Sequence, residues 1–272
     1  MKKILLLALL ILSNSPVQAH LNPNLTSPIL KEIPFDFSQN LPVIEVNIKG
    51  NNYRFLFDTA AAHSVVSEHL FTELGLNVIK KQSIADSNNN ITQLKVCQID
   101  AMSLNGINFQ NKPAVVTALD KSYKIGCLNI DGVFGNDVMK DYFWGIDYKK
   151  QIITLTDDKF LFNIPEEAHV IKYNTAKHSF TPKVVLKIDG KKVKNLSFDT
   201  GYNKSIFLNK SFISAPLNME STITYYGSSG EGLFGGAKPK TFYRSMLKNV
   251  QIGSLKVNKA LATLNDGKPR IR

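Results

Sequence analysis

Cysteine, tryptophan and acidic residues are scarce in this chain, and each shortage narrows the field. Of 272 residues, two are cysteine and one is tryptophan. Neither Cys97 nor Cys127 stands in a Cys-x-x-Cys or His-rich setting, so no metal site and no cofactor are expected. Lys and Arg (33) outnumber Asp and Glu (22), giving a formal charge of +11. The excess is scattered, with some clustering at Lys191-Lys192-Val193-Lys194, and reads as a solvated basic face that would favour acidic partners or an anionic envelope. Zinc-finger, helix-turn-helix and aromatic–basic RNA patterns are missing, which argues against nucleic acid. The apolar run over residues 4–12 falls short of the roughly twenty residues an anchoring helix needs. Preceded by Met1-Lys2-Lys3 and followed by Val17-Gln18-Ala19, it reads as a signal peptide over residues 1–19. The chain is therefore expected to be exported, to the periplasm or beyond, without a stable membrane anchor. In such a compartment an even cysteine count favours a Cys97–Cys127 disulfide over two buried free thiols.

What the chain does contain is an internal repeat. Phe55-Leu56-Phe57-Asp58-Thr59-Ala60 recurs as Leu196-Ser197-Phe198-Asp199-Thr200-Gly201. In each copy an apolar strand delivers Asp-Thr-small into a turn, and a Ser followed by two bulky apolar residues comes five positions after the Thr. Upstream, residues 42–50 match residues 182–190, each an apolar strand ending at a Gly turn. Asp58 then aligns with Asp199, and Ser64-Val65-Val66 with Ser205-Ile206-Phe207. A carboxylate at the end of a buried strand is costly unless hydrogen-bonded or used, so one in each half predicts a facing pair.

The chain divides into a linker over residues 20–40, a first lobe over 41–156, a connector over 157–180 and a second lobe over 181–272. Asn105-Gly106 marks a hairpin turn, Ser67 an N-cap, and Gly132-Val133-Phe134-Gly135 a buried strand passing close to another backbone. Carried onward, the repeat puts the counterpart of that strand beyond Arg272, so the second lobe is expected to lack its C-terminal closing strands. The Gly-rich stretch from Tyr225 to Gly232 suits a hairpin over a cleft, where Tyr225 and Tyr226 either touch substrate or serve as plain strand residues.

These motifs resemble those of the retropepsin-like and pepsin-like aspartic peptidases of bacteria. The first half carries the set in order, Phe57-Asp58-Thr59-Ala60 and then Asp131-Gly132-Val133-Phe134-Gly135; the second carries Phe198-Asp199-Thr200-Gly201 alone. The resemblance implies a mostly β fold of two homologous acid-protease-like β-barrel lobes with short helices. It further implies a catalytic pair, Asp58 and Asp199, that activates water to hydrolyse peptide or unfolded-protein substrates. Thr59, Ala60, Thr200 and Gly201 would support the pair, Ala60 standing where Gly is usual.

Two carboxyls a few ångströms apart share one proton. Other residues receive plainer readings: His63 as a loop residue, Asp137 and Asp141 as helix-start and solvated charges, Trp144 as a core or interface aromatic. Three uses of the fold stay open. They are a one-chain, monomeric peptidase, a non-catalytic peptide- or glycan-binding protein, and a dimer pairing Asp58 with its copy.

Overall fold

The computed structural model describes residues 9–11, 28–86, 90–121, 123–176, 178–213, 222–228, 231–232, 235–236 and 238–266. The first half runs β1 (Leu9–Ile11), β2 (Leu30–Asp36), β3 (Val43–Ile48), β4 (Asn51–Phe57), β5 (Val65–Ser67), α1 (Glu68–Glu73), β6 (Val78–Ala85), β7 (Ile91–Leu104) and β8 (Ile107–Thr117). It continues with α2 (Tyr123–Gly126), β9 (Gly132–Phe134), α3 (Asn136–Met139), β10 (Phe143–Asp147) and β11 (Ile152–Thr156). Six of these strands close a barrel: β3 pairs with β4, β4 with β9, β9 with β5, β5 with β8, β8 with β7, and β7 returns to β3 at Ser103 and Asn47. Beyond the barrel, β2, β11, β10 and β1 extend the sheet outward from β3.

Local chemistry accounts for the frame that carries Asp58. The β3–β4 hairpin turns at Lys49 (φ 52°) and Gly50 (φ 89°). Two successive positive φ values make the turn whose twist matches the flanking strands, and the same pair of values recurs at Asp189-Gly190 (φ 48° and 81°) in the second half. Strand β9 threads between β4 and β5, parallel to the first and antiparallel to the second. Gly132 permits this, since a Cβ there would lie 2.5 Å from the Val65 carbonyl oxygen and inside the Phe55 ring.

Beneath the Asp58 turn, Phe57 and Phe134 stack at 6.1 Å and Trp144 meets both edge-on at 5.2 and 5.9 Å. The indole N–H of Trp144 donates to Met139 O at 2.8 Å, which satisfies the one polar atom this core aromatic brings inside. Ser67 caps α1 by accepting from Leu70 N at 3.0 Å.

The second half contributes β12 (Asn174–Thr175), β13 (Pro182–Ile188), β14 (Lys191–Ser197), β15 (Ile206–Asn209), β16 (Ile223–Gly227), β17 (Glu231–Gly232), β18 (Gly235–Gly236), β19 (Lys240–Ile252) and β20 (Leu255–Asn265). β13–β14 repeats the β3–β4 hairpin, and β15 runs parallel to β20 as β5 runs parallel to β8. Leu186, Ile188, Val193, Leu208, Leu247, Val250, Ala262 and Leu264 form its core. Among the described residues no strand stands between β14 and β15 in the way β9 stands between β4 and β5.

Three expectations are corrected. Residues 30–36, assigned to a linker, form β2, paired to β3 and β11; Ile33 and Phe35 point into the core while Pro34 between them faces outward. The alternation was obscured by Pro34 in its midst. Second, Cys97 and Cys127 are both free. Cys97 lies buried in β7 with its Sγ against Ala114 O at 3.5 Å, and burial pushes its thiol up to about 11, whereas Cys127 faces solvent. A cysteine count says nothing about side-chain direction, which a disulfide requires. Third, Ile91–Leu104 is one continuous strand, where the sequence pattern predicts two, Ile91 to Val96 and Ile99 to Leu104. The signal peptide read over residues 1–19 lies outside the described residues except for Leu9–Ile11, which pairs with β10. Among the described residues no helix is long and apolar enough to cross a membrane.

Candidate active site

Asp58 follows β4 directly, and Asp199 stands in the same place after β14. The two carboxyl groups face one another closely enough that each shifts the pKa of the other. Around them the two turns are interlocked by four hydrogen bonds with a two-fold pattern. Thr59 N donates to Thr200 Oγ1 at 3.0 Å, and Thr200 Oγ1 donates to Phe57 O at 2.7 Å. Reciprocally, Thr200 N donates to Thr59 Oγ1 at 3.1 Å, and Thr59 Oγ1 donates to Phe198 O at 2.8 Å. Both threonines are buried. Each hydroxyl thus accepts from one turn of the opposite half and donates to the strand that leads into it, which no side chain without a hydroxyl can do.

The surroundings of the two carboxyls differ. Asp58 Oδ1 accepts from Ala60 N at 2.7 Å and Ala61 N at 3.1 Å, bonds that favour its ionised form. Burial opposes them and raises its pKa above the ordinary carboxylate range. Asp199 is raised by burial first and then by the charge of Asp58, with the Gly201 N–H and Lys183 pulling the other way. Its Oδ1 is buried without a hydrogen-bond partner among the described residues. Gly201 lies flat against the pair, for a Cβ there would fall 2.6 Å from Asp58 Cγ. Ala60, the departure from Gly in the first motif, offers its N–H to Asp58 and its carbonyl to Thr181 Oγ1 at 3.4 Å.

Sequence reasoning missed the brace behind Asp58. Asn136 Nδ2 donates to Thr59 O at 2.6 Å and to Ala61 O at 3.1 Å, fixing the turn from below. Asn136 follows the glycine-flanked strand, where an Asn reads from the sequence as a helix cap; the N-cap of α3 is instead Gly135, without a side-chain bond. Asp137, expected to be a helix-start charge, accepts from Ser64 N at 2.9 Å and from Ser64 Oγ at 2.7 Å, and Gly135 N donates to that same hydroxyl at 3.1 Å. Burial raises the Asp137 carboxyl. The available signal was the position of both residues directly after the glycine-flanked strand. In the second half Ser205, the counterpart of Ser64, donates instead to Leu261 O.

His63, in the loop between β4 and β5, stands near Asp137 of α3, and the Ser64 hydroxyl is committed to Asp137. Tyr225 stacks on Phe242 at 5.4 Å across β16 and β19, while Tyr226 points to solvent. Tyr202, to which the sequence reading gave no role, is buried near both Asp199 and Tyr225, and burial pushes its phenol up to about 12. Among the described residues no three His, Cys, Asp or Glu side chains cluster as a metal site would.

This arrangement can hold one proton between two half-buried carboxyls whose turns the threonines tie together. Residues 44–138 match the family model described as aspartyl protease. No curated protein matches the chain. Among solved structures it is similar to a retropepsin-like aspartic protease from Rickettsia conorii, with 18% identity, 48% of this chain and 93% of that one covered, and a TM-score of 0.36. The Asp-Thr-Ala turn, the glycine-flanked strand and the strands of the closed barrel fall almost wholly inside the span that matches the aspartyl protease family model, and the Asp199 turn lies outside it.

Proposed function

We propose that the protein is an exported aspartic endopeptidase in which Asp58 and Asp199 of one chain activate a water molecule against a peptide bond. The observation that carries this reading is the reciprocal Thr59–Thr200 bonding that brings the two carboxyls together. Two adjacent, half-buried carboxyls cannot both ionise cheaply, so one proton is shared between them. Asp58, with two backbone N–H donors on Oδ1, is the better anion and serves as general base toward the water. Asp199 keeps the proton and donates it toward the carbonyl oxygen as the tetrahedral adduct forms. Collapse of the adduct returns a proton to the leaving amine. The threonines hold geometry and take no part in proton transfer. The substrate class is an extended peptide or an unfolded protein, and export to the periplasm or the medium follows from the reading of residues 1–19.

A second reading, a peptide- or glycan-binding protein on the same fold, is favoured by one observation. Asp199 has no counterpart, among the described residues, of the β9 strand and Asn136 brace behind Asp58. The test is cleavage of unfolded casein between acid and neutral pH, with and without a statine-type transition-state analogue, beside Asp58→Asn and Asp199→Asn. The peptidase reading expects inhibitable cleavage that both substitutions abolish. Folded protein without cleavage at any pH would sink it, and loss in Asp58→Asn alone would point to pairing between two copies.

A further inference from the structure

The internal repeat makes the two halves of the dyad comparable position by position, and at one pair of positions they are chemically opposite. In the first half, Val43 on β3 stands opposite Leu56 on β4, two residues before Asp58. Both are buried in an apolar cluster with Leu41, Val65 and Val133. The counterparts in the second half are Lys183 on β13 and Ser197 on β14, again opposite one another. Here Lys183 Nζ donates to Ser197 Oγ at 2.8 Å. Ser197 precedes Asp199 by two residues, so both side chains leave the extended chain on one face. The ladder stays closed up to the aspartate, because Phe198 N donates to Pro182 O at 2.9 Å. Diagonal neighbours on one face of an antiparallel pair are about 7–8 Å apart. The four-carbon stem of a lysine spans much of that distance.

We propose that Lys183 is a positioning residue of the dyad, its ammonium held by Ser197 beside Asp199 so as to set the pH at which the pair gives up its shared proton. The inference rests on the dyad reading above. An ammonium near Asp199 favours the carboxylate there, and it acts against the burial and the Asp58 charge that favour the acid. The first half has no such counterweight, since Val43 and Leu56 carry no charge. Among the described residues, the other groups facing Asp199 are the Asp58 carboxyl, the Gly201 N–H and the phenol of Tyr202, which burial keeps neutral through the relevant range. On the far side of Lys183, β12 presents the uncharged Asn174. β19 meets β13 only at Leu186–Ile188, where Gln251 stands opposite Lys187. Lys191 and Lys192 pair with Ile188 and Lys187 at the turn end of the hairpin, away from the dyad.

The experiment is a pH titration of the full chain carrying carboxyl-labelled aspartate, followed by carbon NMR. Asp58→Asn assigns the pair, and casein cleavage is measured over the same pH range. In the wild type one carboxyl is expected to titrate well above the ordinary range. Lys183→Met should move that upper titration, and the alkaline limb of the cleavage profile, to higher pH by about one unit. Lys183→Arg should keep the wild-type profile, and Ser197→Ala, which removes the serine contact to the ammonium, should give a smaller shift in the same direction. A Lys183→Met protein whose pair titrates as in the wild type overturns the role of Lys183 and leaves the dyad standing. A wild type in which both aspartates titrate independently in the ordinary range overturns the dyad reading, and the inference with it.

Discussion

Replacing Thr200 by valine removes a hydroxyl while keeping nearly the same shape, and the structure says what that hydroxyl is worth. Thr200 Oγ1 accepts from Thr59 N and donates to Phe57 O, both in the opposite half of the chain. Valine leaves a donor and an acceptor without partners at a buried site. Each such orphan costs about 1–3 kcal/mol, so the pair should cost about 2–6 kcal/mol. That is a large share of the roughly 5–15 kcal/mol that keeps a domain of ordinary stability folded. The assay is urea unfolding at neutral pH, with the slope of the transition checked against wild type so that a change in midpoint reports stability. Thr200→Ser keeps the hydroxyl and loses only a methyl, so it should stay within about 1 kcal/mol of wild type. Thr59→Val should behave like Thr200→Val, and the double variant should depart from the sum because the four bonds form one network. Should Thr200→Val unfold within about 0.5 kcal/mol of wild type at an unchanged slope, in the range of ordinary surface substitutions, the argument that these hydroxyls hold the halves together is wrong.

Other consequences of the site are equally direct. Asp199 has its pKa raised by burial and by Asp58, so the folded state holds that proton more tightly than the unfolded chain does. Its contribution to stability is greatest in acid and declines as pH rises from the ordinary carboxylate range through the raised value. Asp199→Asn should remove this decline, giving a melting temperature above wild type at alkaline pH and a smaller difference in acid; equal slopes of melting temperature against pH would refute the burial argument. Gly201→Ala drives a methyl to 2.6 Å from Asp58 Cγ, so casein cleavage should fall by at least tenfold, equivalent to about 1.4 kcal/mol, while near-ultraviolet circular dichroism shows a folded protein. Full activity would mean that the backbone at Gly201 does not press on the pair.

The sequence reading succeeded where a residue's neighbours along the chain determine its role. Lys49-Gly50 and Asp189-Gly190 are turns because of local backbone preference, and the apolar strands that follow deliver Asp58 and Asp199 to matching places. Trp144 was legible as a buried aromatic for the same reason. The reading failed where a partner lies far along the chain. Asn136 and Asp137 look like the opening of a helix, and only the fold reveals that they hold Thr59, Ala61 and Ser64 more than seventy residues upstream. Residues 30–36 looked like a lead-in, because strand pairing with β11 at Pro34–Ile152 is a contact between distant segments. Cys97 and Cys127 illustrate the same limit, since their number predicted a bond, whereas the fold leaves both free, one buried and the other exposed.

The interlocked threonines also bear on how the two halves find each other. They are joined by an exposed connector, with Phe160, Ile164 and Val170 open to solvent. A covalent tether turns the docking of one half on the other into an intramolecular event, governed by an effective concentration that is typically millimolar for short flexible linkers. Diluting the intact protein therefore does not separate Asp58 from Asp199. A single cut in the connector would make the same encounter bimolecular, and the site would then assemble or fall apart with protein concentration.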